Sequence, residues 1–421
     1  SFGPVVLPVG TYVINQTPPT GVGNSDITCD DANSTGDPVA RTITINLDPL
    51  ETVTCTINSM ATLQQTVDTI NRFLTKRADL ILSSEPSAGR RFDRLNRGSG
   101  NATRFSWSPG DLQAFLPFTA EISRGSNEYR FSTSLVQMRE SAASLKLAHG
   151  ADKRAVYVDN YRFDAWFEAQ YKQFDGGADG EGHFAIAYLG ADYLVTPDIL
   201  VGALLQIDDM EDRSAAFNST ARGTGWMIGP YMTARLSPNL YFDGRIAAGK
   251  SSNEVSPFNT YVDDFTTDRW MAMDSLTGEI QRGAWTIRPA ASLSYFQETQ
   301  DGYVDSLGVS IPSQTVELGQ IKLGPTFSGR FETDAGMIYS PYFSVDAIYN
   351  IGNTSGVTIT NPSTPATEGW RARLQAGVDF TTESGARISF GGTYDGIGRS
   401  DFDVWGLMFD VTIPLQKAKA R

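Results

Sequence analysis

The chain has 421 residues, of which 40% are hydrophobic, and its 34 Lys plus Arg against 48 Asp plus Glu give a net charge of −14. That balance excludes a surface built to neutralise phosphates in bulk, so no nucleic-acid partner is expected. Mean hydropathy is −0.24 and no apolar run is long enough for a membrane-spanning helix, which leaves a water-soluble protein or a transmembrane barrel.

Residues 1–58 read as short strands at 11–14, 41–47 and 52–57, separated by Pro, Gly, Asn and Asp turns. A sandwich of immunoglobulin type needs about 100 residues, so this is a small β module or the end of one. The chain opens in mid-pattern at Val5-Val6-Leu7, as expected of a mature or trimmed part of something longer. Its two cysteines, Cys29 and Cys55, both fall in this module. Their placement predicts a disulfide formed in an oxidising compartment; the alternative is two buried free thiols.

Residues 59–160 read as a linker. The period changes over 62–82, where Leu63, Val67, Ile70, Leu74 and Ile81 follow helical spacing. A basic stretch follows, Arg90-Arg91-Phe92-Asp93-Arg94, and 98–125 is rich in Gly, Ser, Asn and Pro. A strand is expected at 129–134. A second helix is expected over 135–149, with Leu135, Met138, Ala142 and Leu145 on one face.

From residue 161 the period becomes two. Twelve alternating segments run near 161–174, 183–195, 199–209, 222–236, 240–251, 265–280, 285–298, 314–331, 338–351, 368–381, 386–396 and 402–415. Every second link is short: 196–198, 237–239, 281–284, 332–337 and 382–385. The links between them are long: 175–182, 210–221, 252–264, 299–313 and 352–367, with 397–401 as a short exception. Short turns on one rim and long loops on the other are the outer-membrane arrangement, with turns in the periplasm. The expectation is an all-β fold, a twelve-stranded antiparallel transmembrane barrel over 161–415. A pore or linker helix precedes it, and a basic periplasmic tail follows at 416–421.

The two faces of these segments differ. Outward sets are apolar, such as Phe163, Phe167 and Tyr171, or Trp226, Ile228, Met232 and Leu236. Trp226, Trp270, Trp370 and Trp405 near outer strand ends, with Trp285 near an inner end, read as an aromatic girdle. The other face carries both signs of charge: Arg162, Asp164, Glu168, Lys172, Asp243, Arg245, Lys322, Arg330, Arg371, Arg373, Asp379, Arg387 and Asp395. These are expected to face the lumen. In a soluble sandwich they would be a solvated face, but soluble strands average about 5–6 residues and most of these segments exceed that.

Several runs then become recognisable. Residues 189–202 (Leu-Gly-Ala-Asp-Tyr-Leu-Val-Thr-Pro-Asp-Ile-Leu-Val-Gly), 223–231 (Gly-Thr-Gly-Trp-Met-Ile-Gly-Pro-Tyr), 240–245 (Leu-Tyr-Phe-Asp-Gly-Arg) and 285–289 (Trp-Thr-Ile-Arg-Pro) resemble the autotransporter β-domain. The resemblance covers about 161–415. It implies a twelve-stranded outer-membrane barrel, threaded by a helix, that exports and anchors an N-terminal surface passenger (type V secretion). It also implies lipid, lipopolysaccharide and the barrel-assembly machinery as partners. Two departures stand out. The last strand ends on Ile413-Pro414-Leu415 rather than an aromatic residue, and neither expected helix carries the Asn-Asn pair of self-cleaving members. The passenger is therefore expected to stay attached. Residues 7–12, 26–30 and 46–55 are similar to prealbumin-like adhesin modules, with Leu50 where those usually have Gly.

Either expected helix fits the pore: 135–149 lies next to the first strand, while 62–82 has the stronger amphipathic pattern. Arg162, Glu168, Arg245, Arg371 and Arg373 are the expected contacts to it. Catalytic, cofactor and metal sites are not expected. His149 and His183 are far apart, and neither sits in a pattern of metal ligands or nucleophiles. Acidic residues at Asp175, Asp179, Glu181, Asp208, Asp209, Glu211, Asp212, Asp263 and Asp264 read as a solvated outer rim, with cation bridging to lipopolysaccharide as the sharper alternative. Two other functions compete with translocation: a constitutive adhesin anchor, and a diffusion porin.

Overall fold

The computed structural model describes residues 5–17, 22–86, 88–98, 118–123, 128–139, 162–175, 180–334, 336–355, 369–381, 387–398 and 404–412. Five short strands come first: β1 (Gly10–Asn15), β2 (Val22–Cys29), β3 (Thr35–Asp37), β4 (Thr42–Leu47) and β5 (Cys55–Ala61). They form a β1-β4-β3 sheet and a β2–β5 pair. Cys29 and Cys55 face each other in the β2–β5 register and are joined as a disulfide. Among the described residues, Ile27 and Ile43 are the buried hydrophobic side chains of this unit.

Two helices follow, α1 (Leu63–Ser83) and α2 (Gly89–Gly98). The basic stretch at 90–94 is therefore helical, an element the apolar pattern did not reveal because its arginines outnumber its apolar residues. Of the helix expected over 135–149, residues 135–139 are helical and 140–149 lie outside the described residues.

The remaining strands are β6 (Phe118–Ser123), β7 (Glu128–Ser134), β8 (Phe163–Asp175), β9 (Glu181–Thr196), β10 (Ile199–Ser214), β11 (Ser219–Ser237), β12 (Leu240–Ser256), β13 (Asp263–Gly278), β14 (Ile280–Arg282), β15 (Trp285–Gln300), β16 (Tyr303–Val304), β17 (Ser310–Ile311), β18 (Gln314–Gly329), β19 (Phe331–Glu332), β20 (Ile338–Ser355), β21 (Gly369–Thr381), β22 (Arg387–Ile397) and β23 (Val404–Thr412). The twelve expected alternating segments appear as β8 to β13, β15, β18 and β20 to β23. Neighbours pair antiparallel in sequence order, and β13 pairs β15. Between β8 and β23 the ring passes through the hairpin β6–β7, with β6 touching β23 at Ser123 and Met408. Among the described residues the sheet has sixteen strands, counting the short β14 and β19. A sheet that returns on itself leaves no edge of unpaired backbone groups in lipid.

Two links are shorter than their composition suggests. The expected loop 210–221 shrinks to a turn at 215–218, because β10 and β11 run on to Ser214 and Ser219. The expected loop 252–264 likewise begins only after β12 ends at Ser256. Charged residues hid these strand ends, since outside the lipid a barrel wall can be polar on both faces.

Burial alternates along the strands as the pleat requires. In β9, Phe184, Ile186, Tyr188, Asp192 and Leu194 are buried while Leu189, Tyr193 and Val195 are exposed. The exposed residues form an apolar belt, continued by Ile228, Ile246, Leu276 and Leu293. Trp226, Trp270, Trp285 and Trp370 are all exposed. Trp270 lies opposite Gln297 of β15, whose chain reaches Trp285 twelve residues earlier. Twelve steps of about 3.3 Å at a tilt near 40° place the two indoles roughly 30 Å apart along the barrel axis. An apolar band about 25 Å tall fits between them. Outward-facing ion pairs begin at the upper level: Lys250, paired in register with Trp226, bonds Asp268 at 2.7 Å.

Candidate functional site: the filled lumen

The lumen is occupied by α1 and α2. At about 1.5 Å per residue the 21 residues of α1 span about 31 Å, close to the ~30 Å thickness of a hydrocarbon core. Its apolar residues Val67, Ile70, Phe73, Leu74, Ala78 and Ile81 pack with inward residues of the wall, among them Phe184, Tyr188, Met210, Met227 and Phe296. Its polar residues are buried too: Thr66, Thr69, Asn71, Thr75 and Arg77. A helix buried on all sides must satisfy its polar groups against the wall.

The matching follows the chain from the loop rim to the turn rim. Near the loop rim Gln65 donates to the carbonyl of Phe217 at 2.7 Å. Two and three turns on, Arg72 and Lys76 both reach Asp212, at 3.1 and 2.8 Å. Level with the outer Trp residues, Arg77 forms an ion pair with Glu298, the neighbour of Gln297, and donates to Asn253 at 2.7 Å and Ser251 at 3.0 Å. Beside it Arg269 binds Asp208 through two nitrogens, at 2.8 and 3.1 Å, within the wall itself. At the C-terminal end of α1 the carbonyl of Ser84 accepts from Gln170 and from Tyr188, both at 2.9 Å.

The connection to α2 repeats the pattern. Glu85 accepts from Arg245 at 2.6 Å, and Arg91 forms a two-point pair with Asp243 at 2.7 and 2.8 Å. Arg94 pairs with Asp192, and its other nitrogen donates to the carbonyl of Arg162 at 2.9 Å. Arg90 lies 3.9 Å over the ring of Trp166. Trp166 in turn donates to Tyr231 at 2.8 Å, and Tyr231 donates to Asp192 at 2.6 Å. At the turn rim Asn96 accepts from Tyr241 at 2.7 Å. The segment 63–98 carries seven basic and four acidic side chains, so a cationic plug sits in a carboxylate-lined wall, its charges paired rather than merely buried.

The residues expected in the lumen distribute as follows. Asp164, Glu168, Arg245, Arg371, Asp379 and Asp395 are buried inside the barrel. Arg371 approaches Asp79 of α1 at 4.0 Å and Asp395 at 3.2 Å, and Arg373 bonds Asp395 at 2.6 Å. Glu168 faces Arg130 of β7 at 3.9 Å, and Asp164 accepts from the Val136 backbone at 2.9 Å. Lys172 reaches Ser83 at 3.5 Å, and Lys322 is half-buried. Arg162 and Arg330 are exposed instead. The first precedes β8 and the second sits between β18 and β19, so both lie at the turn rim, where water reaches them. Arg387 and Trp405 are on strands, but their side chains lie outside the described residues.

Asp208, Asp212 and Asp263 correct the acidic-rim reading, since all three are buried. Asp192, Arg269 and Glu298 were missed altogether. Their alternation within β9, β13 and β15 was the available signal. His183 meets Asp209 at 3.2 Å and stacks on Tyr171 on the outer surface, not beside a nucleophile, and His149 lies outside the described residues.

Comparison with known proteins agrees with this architecture. The sequence profile of the Autotransporter beta-domain matches residues 165–395, more than half of the chain. YaiT of Escherichia coli (strain K12) is 24% identical over 200 residues, which is 46% of this chain and 20% of YaiT. YaiT of Salmonella typhimurium is 24% identical over 178 residues, 41% of this chain and 18% of that protein. The chain thus spans about a fifth of the length of these relatives. Among solved structures, the β-domain of the Bordetella autotransporter BrkA overlaps 59% of this chain and 97% of its own, at 15% identity and a TM-score of 0.42. The NalP translocator domain of Neisseria meningitidis overlaps 64% and 96%, at 15% identity and a TM-score of 0.41. Family membership rests on the sequence match rather than on these overlaps. This chain belongs to the autotransporter β-domain family, the outer-membrane barrels through which a passenger reaches the cell surface.

Proposed function

We propose that this barrel exports the N-terminal part of its own polypeptide and then holds it at the surface without cleavage, with α1 and α2 as the retaining plug. The observation that carries the reading is the thread from loop rim to turn rim, keyed to the wall at Asp212, Glu298, Asp243 and Asp192. A chain paired at several depths is held against sliding, because each buried charge left without its partner costs several kcal/mol. The module 1–58 is then the end of the passenger, 59–117 the linker and plug, the hairpin 118–134 together with 161–415 the translocator wall, and 416–421 a periplasmic tail. The role is transport and anchoring, with no catalytic step. Lipopolysaccharide contacts the outer face above the Trp level, and the barrel-assembly machinery inserts the barrel.

The test is expression in a Gram-negative host with an epitope tag ahead of residue 1. Expected is one full-length outer-membrane species whose tag is removed by protease added to intact cells. A separate barrel-sized fragment would overturn retention, and a tag protected until lysis would overturn export. A porin reading makes the opposite electrical prediction: a steadily open large conductance with both helices intact.

A further inference from the structure

Above α1 the link between β15 and β18 folds inward as the hairpin β16–β17, burying Val309 and Ile311 in the core that holds the plug, with Leu307 buried beside them in sequence. Its tip is shaped by Asp305, one of whose carboxylate oxygens accepts from the backbone of Leu307 at 3.0 Å and of Val309 at 2.7 Å. Asp263, at the start of β13, uses one oxygen in the same way, accepting from the Ser306 backbone at 2.8 Å. The second oxygen of each carboxylate is buried with no hydrogen-bond partner.

Four more oxygens lie beside them: the hydroxyls of Thr62, Thr66, Tyr261 and Tyr303 are buried, and none makes a well-formed hydrogen bond. Thr62 and Thr66 are both fully buried. The Tyr261 hydroxyl faces Thr62, Thr66 and Asp305, while Tyr303 faces Asp263, Asp305 and Tyr261. Asp305 thus sits buried beside the like charge of Asp263, with the Tyr261 hydroxyl within reach. The N-terminus of α1 supplies roughly half a positive charge against two carboxylates. Six buried oxygens, two of them from a like-charged pair of carboxylates, match the demand of a hard divalent cation, which takes 6–8 oxygen ligands.

We propose that Asp263, Asp305, Tyr261, Tyr303, Thr62 and Thr66 form a calcium site that ties the hairpin and the barrel rim to the start of the plug helix. The ion would bond to three separate pieces of chain: the β12–β13 link with β13, the β15–β18 link, and the entry to α1. The site faces the outer mouth, where extracellular calcium would reach it, so affinity on the order of 10⁻⁴–10⁻³ M suffices, as in other extracellular modules.

The test uses the full chain in detergent micelles after EDTA treatment, with terbium as the probe, because neighbouring tyrosines sensitise its emission. Expected is tyrosine-sensitised emission that millimolar calcium displaces. Asp263→Asn and Asp305→Asn should each weaken binding at least about 10-fold, and the exposed neighbour change Asp264→Asn should not. Absence of sensitised emission, or equal binding in all three variants, overturns the proposal. In the unmodified protein, calcium should slow proteolysis within 301–313, and equal cleavage with calcium or EDTA overturns it as well. Neither readout involves export, so a failure here leaves the translocator reading standing, and the reverse holds too.

Discussion

Arg77 of α1 and Glu298 of β15 meet side chain to side chain inside the barrel at the level of the outer Trp residues, and neither is exposed to solvent. One charge belongs to the plug and the other to the wall, so the pair fixes the depth and the rotation of the helix together. Ser251, Asn253 and Thr267 complete the hydrogen bonding around it. Without that completion, burying two charges would cost more than their attraction returns.

The first prediction concerns this pair. Arg77→Met and Glu298→Gln should each destabilise the folded barrel by about 3–5 kcal/mol, because each leaves the other charge buried and alone. The double variant should lose less than the sum of the two. Unfolding midpoints in detergent micelles, read as a double-mutant cycle, measure the coupling.

A second prediction separates the two helices. Arg91→Ala with Arg94→Ala removes the partners of Asp243 and Asp192 at the turn rim. Amide exchange within 89–98 should accelerate roughly 100-fold, the equivalent of about 3 kcal/mol, while exchange in α1 and the strands changes little. Uniform acceleration along the chain would show that α2 is not held independently.

Close approach of backbone to a ring supports a third. A Cβ at Gly190 would lie 2.2 Å from Trp166, inside contact distance of a side chain fixed by Tyr231 and Arg90. Gly190→Val should therefore cost about 1–3 kcal/mol through overpacking. Adding Trp166→Leu should return part of that loss, as measured by thermal unfolding.

The N-terminal unit gives a fourth. Cys29 and Cys55 lie 26 residues apart in sequence, and closing a loop of that size stabilises by about 3–4 kcal/mol in the chain-entropy account. Reduction, or Cys29→Ser with Cys55→Ser, should make residues 10–61 protease-sensitive and leave the barrel resistant. Limited proteolysis with and without reductant decides it.

The barrel was legible because alternation is local: β9 shows Phe184 to Leu194 inward and Leu189 to Val195 outward with no knowledge of a partner strand. The fate of a charged residue was not. Asp212 looked like loop because it neighbours Glu211 and Arg213, yet it is buried and holds both Arg72 and Lys76. Arg162 looked like lumen, yet a position one residue outside its strand left it in water. The hairpin β6–β7 was half visible, as a strand at 129–134, because its partner β6 lies beside Gly- and Pro-rich sequence.

By itself the sequence determined the two-residue period, the strand-and-turn order and the family, since each is written in neighbours along the chain. Only the tertiary structure decided which helix fills the pore and where each arginine finds its carboxylate. Those pairings join residues such as Arg77 and Glu298, 221 positions apart. Their strength comes from desolvation inside a closed wall, and no local pattern encodes a partner that the barrel brings near only when it closes.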